Sequence, residues 1–445
     1  MGIKRICCIG AGYVGAPTMA VIALKCPHID ITVVDIDIEK IKKWNGPIEY
    51  LPVYEPGLSE IILKTRDKNL FFSNEIENSI DNAEMIFIAV NTPTKLSGEG
   101  AGMAADLKYV ESSAKTIAKS SKSDKIVVEK STLPVRTAEK IKEILIKNNN
   151  SVNFEVLSNP EFLAEGTAIE DLFKSDRVLI GGDKTKSGLS AVQSLVNIYE
   201  NWIPIDKILT VNVWSAELSK LASNAMLAQR ISSINSLSAL CEKTEADIEE
   251  VSKAIGMDQR IGTEFLKVSP GFGGSCFKKD ILNLVYLCQH YGLNEVADYW
   301  KGVLKINDFQ RSRIFNIVNT FIKKSNLKKE VSILGWAFKK NTNDSRESSS
   351  IYVANHFLKE DYIINIYDPK VNKEQIINDL ILLGYQSDEL NKKIKFFNSL
   401  DTIINLNCPI LIMTEWDEFK NLNNEKSSIF DFRNILEKSN VTYRF

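Results

Sequence analysis

The sequence has few residues of the types that build metal centres and disulfide frameworks. Its 445 residues include three histidines, His28, His290 and His356, and seven cysteines without a CxxC pair. The histidines are too scattered for a His-based metal cluster, so we expect no metal. Sparse cysteines, odd in number, favour reduced thiols and hence a cytoplasmic location.

The chain also lacks a strong net charge and a long apolar run. Lys and Arg number 55 against 57 Asp and Glu, which gives a net charge of −2 and no basic field to attract nucleic acid or acidic membranes. No stretch approaches the ~18 uninterrupted apolar residues that a membrane span needs. The first apolar run, Ile3–Ile9, leads directly into glycines and does not resemble a signal peptide. We therefore expect neither nucleic acid nor a membrane as a partner.

Short apolar runs alternate with helical patterns instead, which is typical of a parallel α/β sheet. In the first half the pattern predicts a helix at Tyr13–Lys25 and strands at Ile3–Ile9, Ile31–Val34, Met85–Val90, Lys125–Glu129 and Glu155–Leu157. In the second half it predicts a helix at Ser349–Leu358 and strands at Val331–Leu334, Ile363–Tyr367, Ile410–Met413 and Ile429–Phe430. Between them, residues 214–239 contain neither Gly nor Pro and predict one long helix.

These elements predict an α/β protein with two doubly wound Rossmann-like domains, joined by a long central helix and a helical segment. We place the N-terminal domain at residues 1–212, a central helical domain at 213–322 and the C-terminal domain at 323–445. The lysine-rich stretch Lys323–Lys329 is typical of a solvated linker. The small residues of the central helix are suited to close packing against a partner helix, although an ordinary buried helix would have them too.

The segment Gly10-Ala11-Gly12-Tyr13-Val14-Gly15 follows a predicted strand and opens a predicted helix. Its glycines allow a tight turn, a close approach of the backbone to a pyrophosphate, and close packing of helix on strand. Asp35, twenty residues past Gly15, ends the next strand, where a carboxylate accepts the ribose hydroxyls and repels a 2′-phosphate. The pattern predicts NAD rather than NADP, although the ammonium of Lys40 is compatible with the phosphate.

A second glycine-rich segment, PGFGGSCFKKD at residues 270–280, contains Cys276. Its glycines let the backbone approach a ligand, and Lys278 and Lys279 favour the thiolate, which is the reactive form of cysteine. We predict that Cys276 is a catalytic nucleophile. The alternative is a buried cysteine that follows a glycine turn.

Other polar clusters follow predicted strands, at the edge where open α/β sheets bind ligands. They are Ser131-Thr132, Asn159-Pro160-Glu161, Glu165-Gly166-Thr167 and the segment FKKNTNDSR at 338–346. Glu217, Lys220 and Asn224 are spaced three and four residues apart, so they share one face of the long helix. On spacing alone, a solvated polar face is favoured over a functional one.

The motifs GAGYVG, VNTPT, EKST, SNPEFLAEGTA, LSKLASNA, GMDQRIG, GFGGSCFKKD and FKKNTNDSRESSS occur in this order. The set resembles the nucleotide-sugar dehydrogenase family, and within it the UDP-glucose 6-dehydrogenases, especially those of animals, from about Ile3 to Leu436. The resemblance implies an NAD-dependent, four-electron oxidation of UDP-glucose to UDP-glucuronate, with the UDP-sugar bound by the C-terminal domain. Enzymes for UDP-N-acetylmannosamine and GDP-mannose share the framework and are the alternatives.

The resemblance also implies roles for individual residues, with Cys276 forming a thiohemiacetal and then a thioester. The other catalytic positions are Lys220 and Asn224 for oxyanions and Glu161, Asp280 and Thr132 for proton transfer. The NAD contacts are Gly10, Ala11, Gly12, Tyr13, Val14, Gly15, Asp35, Lys40, Val90, Asn91, Thr92, Pro93, Thr94, Ser131, Thr132, Glu165, Cys276, Lys279 and Arg346. The substrate contacts are Glu161, Phe162, Leu163, Ala164, Glu165, Lys220, Asn224, Arg260, Phe265, Leu266, Lys267, Gly271, Phe272, Gly273, Phe338, Lys339 and Arg433.

In the family that the chain resembles, the arginine that matches Arg260 reaches into the site of a neighbouring subunit. The resemblance therefore implies self-association, with a dimer through the central helix and a hexamer of the animal type. The sequence departs from the animal pattern at Phe432, where that pattern has Gly, and at Lys40, where an arginine is common.

Two functions from other classes compete with this interpretation. A two-electron dehydrogenase of the 6-phosphogluconate or 3-hydroxyacid type shares the N-terminal fold and a long helix, but it needs neither Cys276 nor a second nucleotide-like domain. A non-catalytic NAD-binding sensor would have no use for the combined Cys, Lys, Asn and Asp residues. Both alternatives are therefore disfavoured.

Overall fold

The computed structural model describes residues 2–422 and 427–445. The chain divides into two compact units, Met1–Ser223 and Asn224–Phe445. Each unit contains a sheet of mainly parallel strands connected through helices, so the predicted α/β class with two Rossmann-like sheets is confirmed. The three domain boundaries stay a prediction.

Eight strands form the sheet of the first unit. They are β1 (Arg5–Ile9), β2 (Asp30–Val34), β3 (Leu70–Ser73), β4 (Met85–Ile88), β5 (Lys125–Glu129), β6 (Phe154–Ser158), β7 (Val178–Gly181) and β8 (Ile208–Val211). Their order is β3-β2-β1-β4-β5-β6-β7-β8, and neighbours are parallel except β6 and β7. The order reverses between β1 and β4, which places the ligand crevice of such a sheet at the C-terminal ends of these strands.

Helices cover both faces of this sheet, which is why its central strands are apolar on both sides. They are α1 (Gly15–Lys25), α2 (Ile38–Asn45), α3 (Leu58–Thr65), α4 (Ile76–Asn82), α5 (Lys108–Ser120), α6 (Thr137–Asn148), α7 (Ala168–Phe173) and α8 (Lys186–Tyr199). The long helix α9 (Val213–Thr244) begins in this unit and ends in the second. No helix in the part of the chain that the structure describes is long and apolar enough to cross a membrane.

The second unit combines helices with a six-stranded parallel sheet. Its helices are α10 (Ile248–Gly256), α11 (Phe277–His290), α12 (Asn294–Lys324), α13 (Ser349–Lys359), α14 (Lys373–Ile381), α15 (Ser387–Lys393) and α16 (Leu400–Ile404). Its strands are β9 (Glu330–Leu334), β10 (Ile363–Tyr367), β11 (Ile394–Phe396), β12 (Ile410–Ile412), β13 (Ile429–Asp431) and β14 (Tyr443–Arg444), in the order β11-β10-β9-β12-β13-β14. The order reverses between β9 and β12, as it does between β1 and β4.

The structure differs from the predicted elements mainly at ends and in short strands. The helix predicted at 214–239 continues to Thr244, because Cys241 is buried and Glu242 forms an ion pair with Arg313 at 2.9 Å. The apolar pattern does not predict β3, β7, β8, β11 or β14, each of which is only two to four residues long.

Candidate active site

The glycine turn of the first unit connects β1 to α1, as its sequence predicts. Gly10 has φ +112°, and a Cβ there would lie 2.3 Å from the carbonyl oxygen of Ala89. A Cβ on Gly15 would lie 2.1 Å from the carbonyl oxygen of Gly10. At Gly12, by contrast, no heavy atom of the described residues comes within 4 Å of a Cβ. Two glycines therefore permit the turn itself, while the third leaves open space beside a helix N-terminus, which fits the pyrophosphate of NAD.

Asp35 directly follows β2 and lies beside this turn. Its carboxylate accepts the backbone N–H of Ala11 at 2.9 Å, that of Asp37 at 3.0 Å and the ammonium of Lys40 at 3.0 Å. Burial raises the pKa of Asp35, but these three donors outweigh it and the net pKa is lowered. The carboxylate is therefore ionised and held beside the glycine turn, where the sequence predicts an acceptor for the ribose of NAD.

The loops that follow β4 and β5 are hydrogen-bonded to each other. The hydroxyl of Ser131 donates to the carbonyl of Val90 at 2.7 Å, and the hydroxyl of Thr92 donates to the carbonyl of Thr132 at 3.1 Å. The structure thus brings together the predicted NAD segments 90–94 and 131–132. Because β4 lies next to β1, both segments are at the same sheet edge as the glycine turn.

Glu161 and Lys220 form a buried ion pair. Glu161 is part of the loop after β6, Lys220 is on α9, and their charged atoms lie 3.4 Å apart. The same carboxylate accepts the N–H of Leu163 at 2.9 Å. The ring of Phe162 lies 5.4 Å from the ammonium of Lys220 and is stacked 3.9 Å from the guanidinium of Arg177. Two predicted catalytic residues therefore occupy one sheltered, polar site in the first unit.

The polar face that carries Lys220 is not solvated, and the expectation from its spacing is wrong. Glu217, Lys220 and Asn224 are 2%, 4% and 5% exposed. Glu217 accepts the backbone N–H groups of Arg136 at 2.7 Å and Ala138 at 2.8 Å, at the N-terminus of α6. Helical spacing alone cannot show that another element covers a face, which is why it favoured solvent.

Glu217 also interacts with a second buried carboxyl group, that of Glu129 at the end of β5. Burial raises the pKa of both groups, and the backbone N–H groups of α6 partly offset this for Glu217. Two adjacent buried carboxyls cannot both be ionised at modest cost, so they share one proton. That proton resides on Glu129, since its partner already accepts two N–H groups.

Cys276 immediately precedes α11 in the second unit and is partly exposed. The other six cysteines, which like Cys276 lie among the described residues, are all buried. The hydroxyl of Ser275 is 3.5 Å from its sulfur. A helix N-terminus favours the thiolate. The alternative of a buried structural cysteine is therefore wrong for this position.

Asn224 and Asp280 lie together in this unit. The amide of Asn224 donates to the Asp280 carboxylate at 2.6 Å, and the ammonium of Lys279 is 3.2 Å from the other carboxylate oxygen. Asp280 is 1% exposed and stands one helical turn after Cys276, whose carbonyl accepts its N–H at 2.8 Å. The sequence motif thus places a buried carboxylate with fixed partners in the first turn of the helix that follows the cysteine.

The two lysines that follow Cys276 have ion-pair partners of their own. Lys278 donates to the Glu347 carboxylate at 2.9 Å and to the Tyr352 hydroxyl at 3.1 Å. Lys279 is paired with Asp280. Adjacent lysines on a helix point to different partners, and residue spacing does not reveal where those partners lie.

The glycine-rich loop before Cys276 is fixed by α12. The side-chain amide of Asn307 accepts the N–H of Phe272 at 2.9 Å and donates to its carbonyl at 3.1 Å. Arg311 donates to the same carbonyl at 2.9 Å and is 3% exposed. Gly271, Phe272 and Gly273 are therefore held as one backbone segment, as a loop that contacts a ligand requires.

Further predicted substrate residues lie in the loop after β9 or contact it. The guanidinium of Arg433 donates to the carbonyl of Phe338 at 2.9 Å and lies 3.2 Å from the Glu415 carboxylate. The ammonium of Lys339 is 5.6 Å from the ring of Phe338. Phe432, where the animal pattern has Gly, is fully buried and stacks on Phe430.

Other predicted site residues lie at positions 260–267 and in the loop that follows β9. Arg260 is exposed and forms an ion pair with Asp258 at 2.6 Å. Phe265 is 41% exposed, whereas Leu266 is buried next to Lys267. Arg346 is bound to Asp344 at 2.7 Å in the loop that follows β9. Within residues 2–422 and 427–445, no three His, Cys, Asp or Glu side chains form a group that could hold a metal ion.

Comparisons with known families account for all three segments of the chain. Residues 4–203 match the NAD binding domain of the UDP-glucose/GDP-mannose dehydrogenase family, residues 214–309 its central domain and residues 332–438 its UDP binding domain. The chain belongs to this family. The predicted NAD cofactor and the predicted class, an NAD-dependent oxidoreductase of nucleotide sugars, are confirmed by this membership.

Individual relatives within the UDP-glucose/GDP-mannose dehydrogenase family are similar along nearly their whole length. UDP-glucose 6-dehydrogenase of Rattus norvegicus is 54% identical, over 98% of this chain and 90% of the rat protein. UDP-glucose 6-dehydrogenase 4 of Arabidopsis thaliana is 53% identical, over 97% of this chain and 93% of the plant protein. A UDP-glucose dehydrogenase of Pyrobaculum islandicum has the same fold, with TM-score 0.86, 27% identity and coverage of 99% and 97%.

Sequence reasoning missed several residues that support the site in this family member. Asn307 and Arg311 are four residues apart on α12, a spacing that signals one helix face but no function. Glu129 and Lys130 belong to the EKST motif at the end of β5, yet only the Ser and Thr were predicted to bind a ligand. Buried charged residues at a strand end are the signal that could have identified them.

Proposed function

We propose that this protein is an NAD-dependent UDP-glucose 6-dehydrogenase, which oxidises the C6 alcohol of UDP-glucose to the carboxylate of UDP-glucuronate. The observation that carries the proposal is the 53–54% identity to plant and rodent UDP-glucose 6-dehydrogenases along at least 97% of the chain. The reaction consumes one water and two NAD+ and yields two NADH and three protons. Bound NAD+ accepts the hydride in each oxidation.

Cys276 supports the second oxidation. An aldehyde at C6 has no tetrahedral C–H that can leave as a hydride, so one must first be created. The thiolate of Cys276 adds to the carbonyl carbon, and the oxyanion takes up a proton to give a thiohemiacetal. Loss of its hydride and hydroxyl proton leaves a thioester. Water then attacks the thioester, the C–S bond breaks, and the carboxylate and the thiol are released.

The polar side chains take complementary roles in this scheme. Lys220 and Asn224 stabilise the negative charge that develops on the C6 oxygen, by about 3–4 kcal/mol for a fixed donor in a sheltered site. Glu161, buried beside Lys220, accepts a proton and returns it during hydrolysis of the thioester. Asp280 keeps the amide of Asn224 oriented, and a water at Thr132 completes the proton path.

The remaining predicted contacts divide between cofactor and substrate. The glycine turn, Asp35, Lys40 and the loops after β4 and β5 hold NAD, while Glu165, Cys276, Lys279 and Arg346 complete its contacts. Residues 161–165, 265–267 and 271–273 contact the sugar and its diphosphate. Phe338, Lys339 and Arg433 hold the uridine diphosphate, and they follow strand ends of the C-terminal sheet, where such a ligand binds.

We also propose that the enzyme is a cytoplasmic oligomer, with a dimer through α9 and an assembly up to a hexamer. Apolar residues of α9 are exposed, with Trp214 44%, Met226 53% and Leu240 59% accessible. Arg260 is exposed as well, on a loop that could present it to a neighbouring subunit. Exposed apolar surface along a helix supports a partner helix there.

The proposal is tested by NADH formed per mole of nucleotide sugar. We expect two NADH per UDP-glucose, and kcat/KM at least ~100-fold lower for UDP-N-acetylmannosamine and for GDP-mannose, whose extra or inverted groups a fitted pocket rejects. A preference for either of these sugars would overturn the substrate, and one NADH per sugar would overturn the four-electron reaction.

The role of Cys276 is tested with a control on the same helix. Cys276→Ser should lose most turnover and accumulate a covalent sugar adduct, because an ester hydrolyses less readily than a thioester. Cys288→Ser changes a buried cysteine of α11 and should retain normal stoichiometry. Intact-mass spectrometry after incubation with UDP-glucose and NAD+ detects the adduct. Normal two-NADH turnover by Cys276→Ala would refute the covalent mechanism.

Subunit mixing tests the proposed assembly. If Arg260 serves a neighbouring site, Arg260→Ala and Cys276→Ala proteins should each be nearly inactive. Co-expressed and allowed to exchange, they should regain part of the activity, because some sites then receive both residues intact. Absence of recovery after exchange has been verified by mass would argue against a shared site.

A further inference from the structure

Lys130 is a buried lysine to which the mechanism above gives no role. It directly follows β5, is 4% exposed, and precedes the loop that carries Ser131 and Thr132. Its ammonium donates to the side-chain oxygen of Asn159 at 3.0 Å and to the hydroxyl of Tyr199 at 3.3 Å. Both partners are uncharged, so this buried cation has no direct counter-ion among its hydrogen-bond partners.

Asn159 connects this lysine to the loop after β6. Its oxygen also accepts the hydroxyl of Tyr199 at 2.7 Å, and its amide donates to the carbonyl of Leu179 at 2.8 Å. Asn159 is fully buried and stands two residues before Glu161. The hydrogen bond from Lys130 to Asn159 therefore joins the strand ends from which the Thr132 and Glu161 loops start.

The charges that act on Lys130 belong to the same site. Burial lowers its pKa to about 8, attraction by Glu161 opposes this, and repulsion by Lys220 adds to it. Cys8 also faces it, and burial keeps that thiol neutral by raising its pKa. Tyr199 is neutral as well, because burial raises the pKa of its hydroxyl. The buried ammonium thus interacts with one carboxylate and one further ammonium.

We propose that Lys130 is a positioning residue of the dehydrogenase reaction: its ammonium fixes Asn159 and thereby holds the loop that places Glu161 beside Lys220. The inference rests on the proposed function, because Glu161 must act as a base for its position to matter. The hydrogen bond from Lys130 anchors this loop at a buried residue two positions before Glu161.

Lys125 provides a matched control at the opposite end of the same strand. It is the first residue of β5, is 3% exposed, and its ammonium donates to the carbonyls of Asp81 at 2.8 Å and Ala83 at 2.6 Å. Replacing either lysine by Met removes a buried ammonium from β5. Only Lys130 lies at the C-terminal end of β5, next to the loop of the candidate active site.

The experiment compares kcat and KM for UDP-glucose in the wild type, Lys130→Met and Lys125→Met. We expect kcat of Lys130→Met to fall about tenfold or more with little change in KM, because a displaced Glu161 weakens the chemical steps more than substrate binding. Lys125→Met should keep both constants within about twofold of the wild type.

Further variants test the hydrogen bond to Asn159 directly. Lys130→Arg retains a side-chain donor for Asn159 and should recover most of the lost kcat. If Lys130→Met does not fold, Lys130→Leu takes its place with the same expected fall in kcat. Equal kcat in Lys130→Met and Lys125→Met, or an equal loss of kcat in Lys130→Met and Lys130→Arg, would overturn the role of Lys130 alone. A wild type that forms no NADH from UDP-glucose would overturn the proposed function together with it.

Discussion

The two sheets have the same turn after their first strand, but only one of these turns is open. In both units an aspartate that follows the second strand, Asp35 or Asp368, accepts backbone N–H groups from the first turn. Asp368 accepts those of Trp336 at 2.6 Å and Ala337 at 3.0 Å, as Asp35 accepts that of Ala11. The turn of the first unit leaves space at Gly12, whereas Trp336 fills the second and is fully buried.

The difference shows how one topology provides two kinds of nucleotide site. Asp368 is saturated, since it also accepts the N–H groups of Lys370 and Val371 at 2.8 Å and the indole N–H of Trp416 at 3.2 Å. Such an aspartate closes the turn and has little capacity left for a ribose. For a ligand of the second sheet, the proposed contacts lie outside this turn, at Lys339 later in the same loop and at Arg433 after β13.

The largest expected effect is a difference between two glycines of the open turn: Gly15 is needed for stability, whereas Gly12 is needed for binding of NAD+. Gly15→Ala places a Cβ 2.1 Å from a backbone oxygen, so we expect a loss of about 3 kcal/mol or more in the free energy of unfolding. Gly12→Ala meets open space and should unfold within about 0.5 kcal/mol of the wild type. Its KM for NAD+ should nevertheless rise about tenfold or more, because the Cβ occupies the space of the pyrophosphate.

Urea unfolding and NAD+ kinetics of both variants check this prediction. Gly335→Ala is the control in the closed turn, where a Cβ would lie 2.3 Å from Thr414 and φ is +93°. It should be destabilised like Gly15→Ala. A Gly12→Ala protein that binds NAD+ normally would show that the open space is not the pyrophosphate site.

A second pair of variants compares the two aspartates, of which Asp368 should matter more for stability and Asp35 more for cofactor specificity. Asp368→Ala leaves several N–H groups without an acceptor and should cost about 2–4 kcal/mol in the free energy of unfolding. Asp35→Ala should cost less, about 1 kcal/mol, but should lower the preference of kcat/KM for NAD+ over NADP+ by about tenfold, because the repulsion of a 2′-phosphate is lost. Equal destabilisation by both, with cofactor preference unchanged, would contradict the division of roles.

The smallest effect concerns two adjacent lysines of the closed turn. Lys339→Met should raise KM for UDP-glucose about fivefold to tenfold, as expected for the loss of one charged contact to a phosphate. Lys340→Met should change it less than about twofold, because the ammonium of Lys340 is paired with Asp417 at 3.2 Å. Initial rates at saturating NAD+ are sufficient for the comparison. Similar effects of both substitutions would place the phosphates elsewhere.

Local patterns predicted the α/β fold and most of the strands, because alternating apolar runs and turn glycines are properties of consecutive residues. They also singled out Cys276 and Asp35 as candidate site residues. They did not predict that Glu217 is buried against α6, or that Lys278 pairs with Glu347, 69 residues away. Such contacts depend on which element covers a face, and a single sequence carries no record of that.

The shared proton between Glu129 and Glu217 has a consequence for the paths along which the sequence can evolve. A glutamine at 129 still donates a hydrogen bond to the Glu217 carboxylate and removes the need for a proton, so this exchange is close to neutral. A glutamine at 217 removes the negative charge that the N-terminus of α6 favours. The amide oxygen is also a weaker acceptor than the carboxylate for the proton of Glu129. Substitution is therefore directional, and a complete mutational scan of both positions should recover glutamine at 129 far more often than at 217.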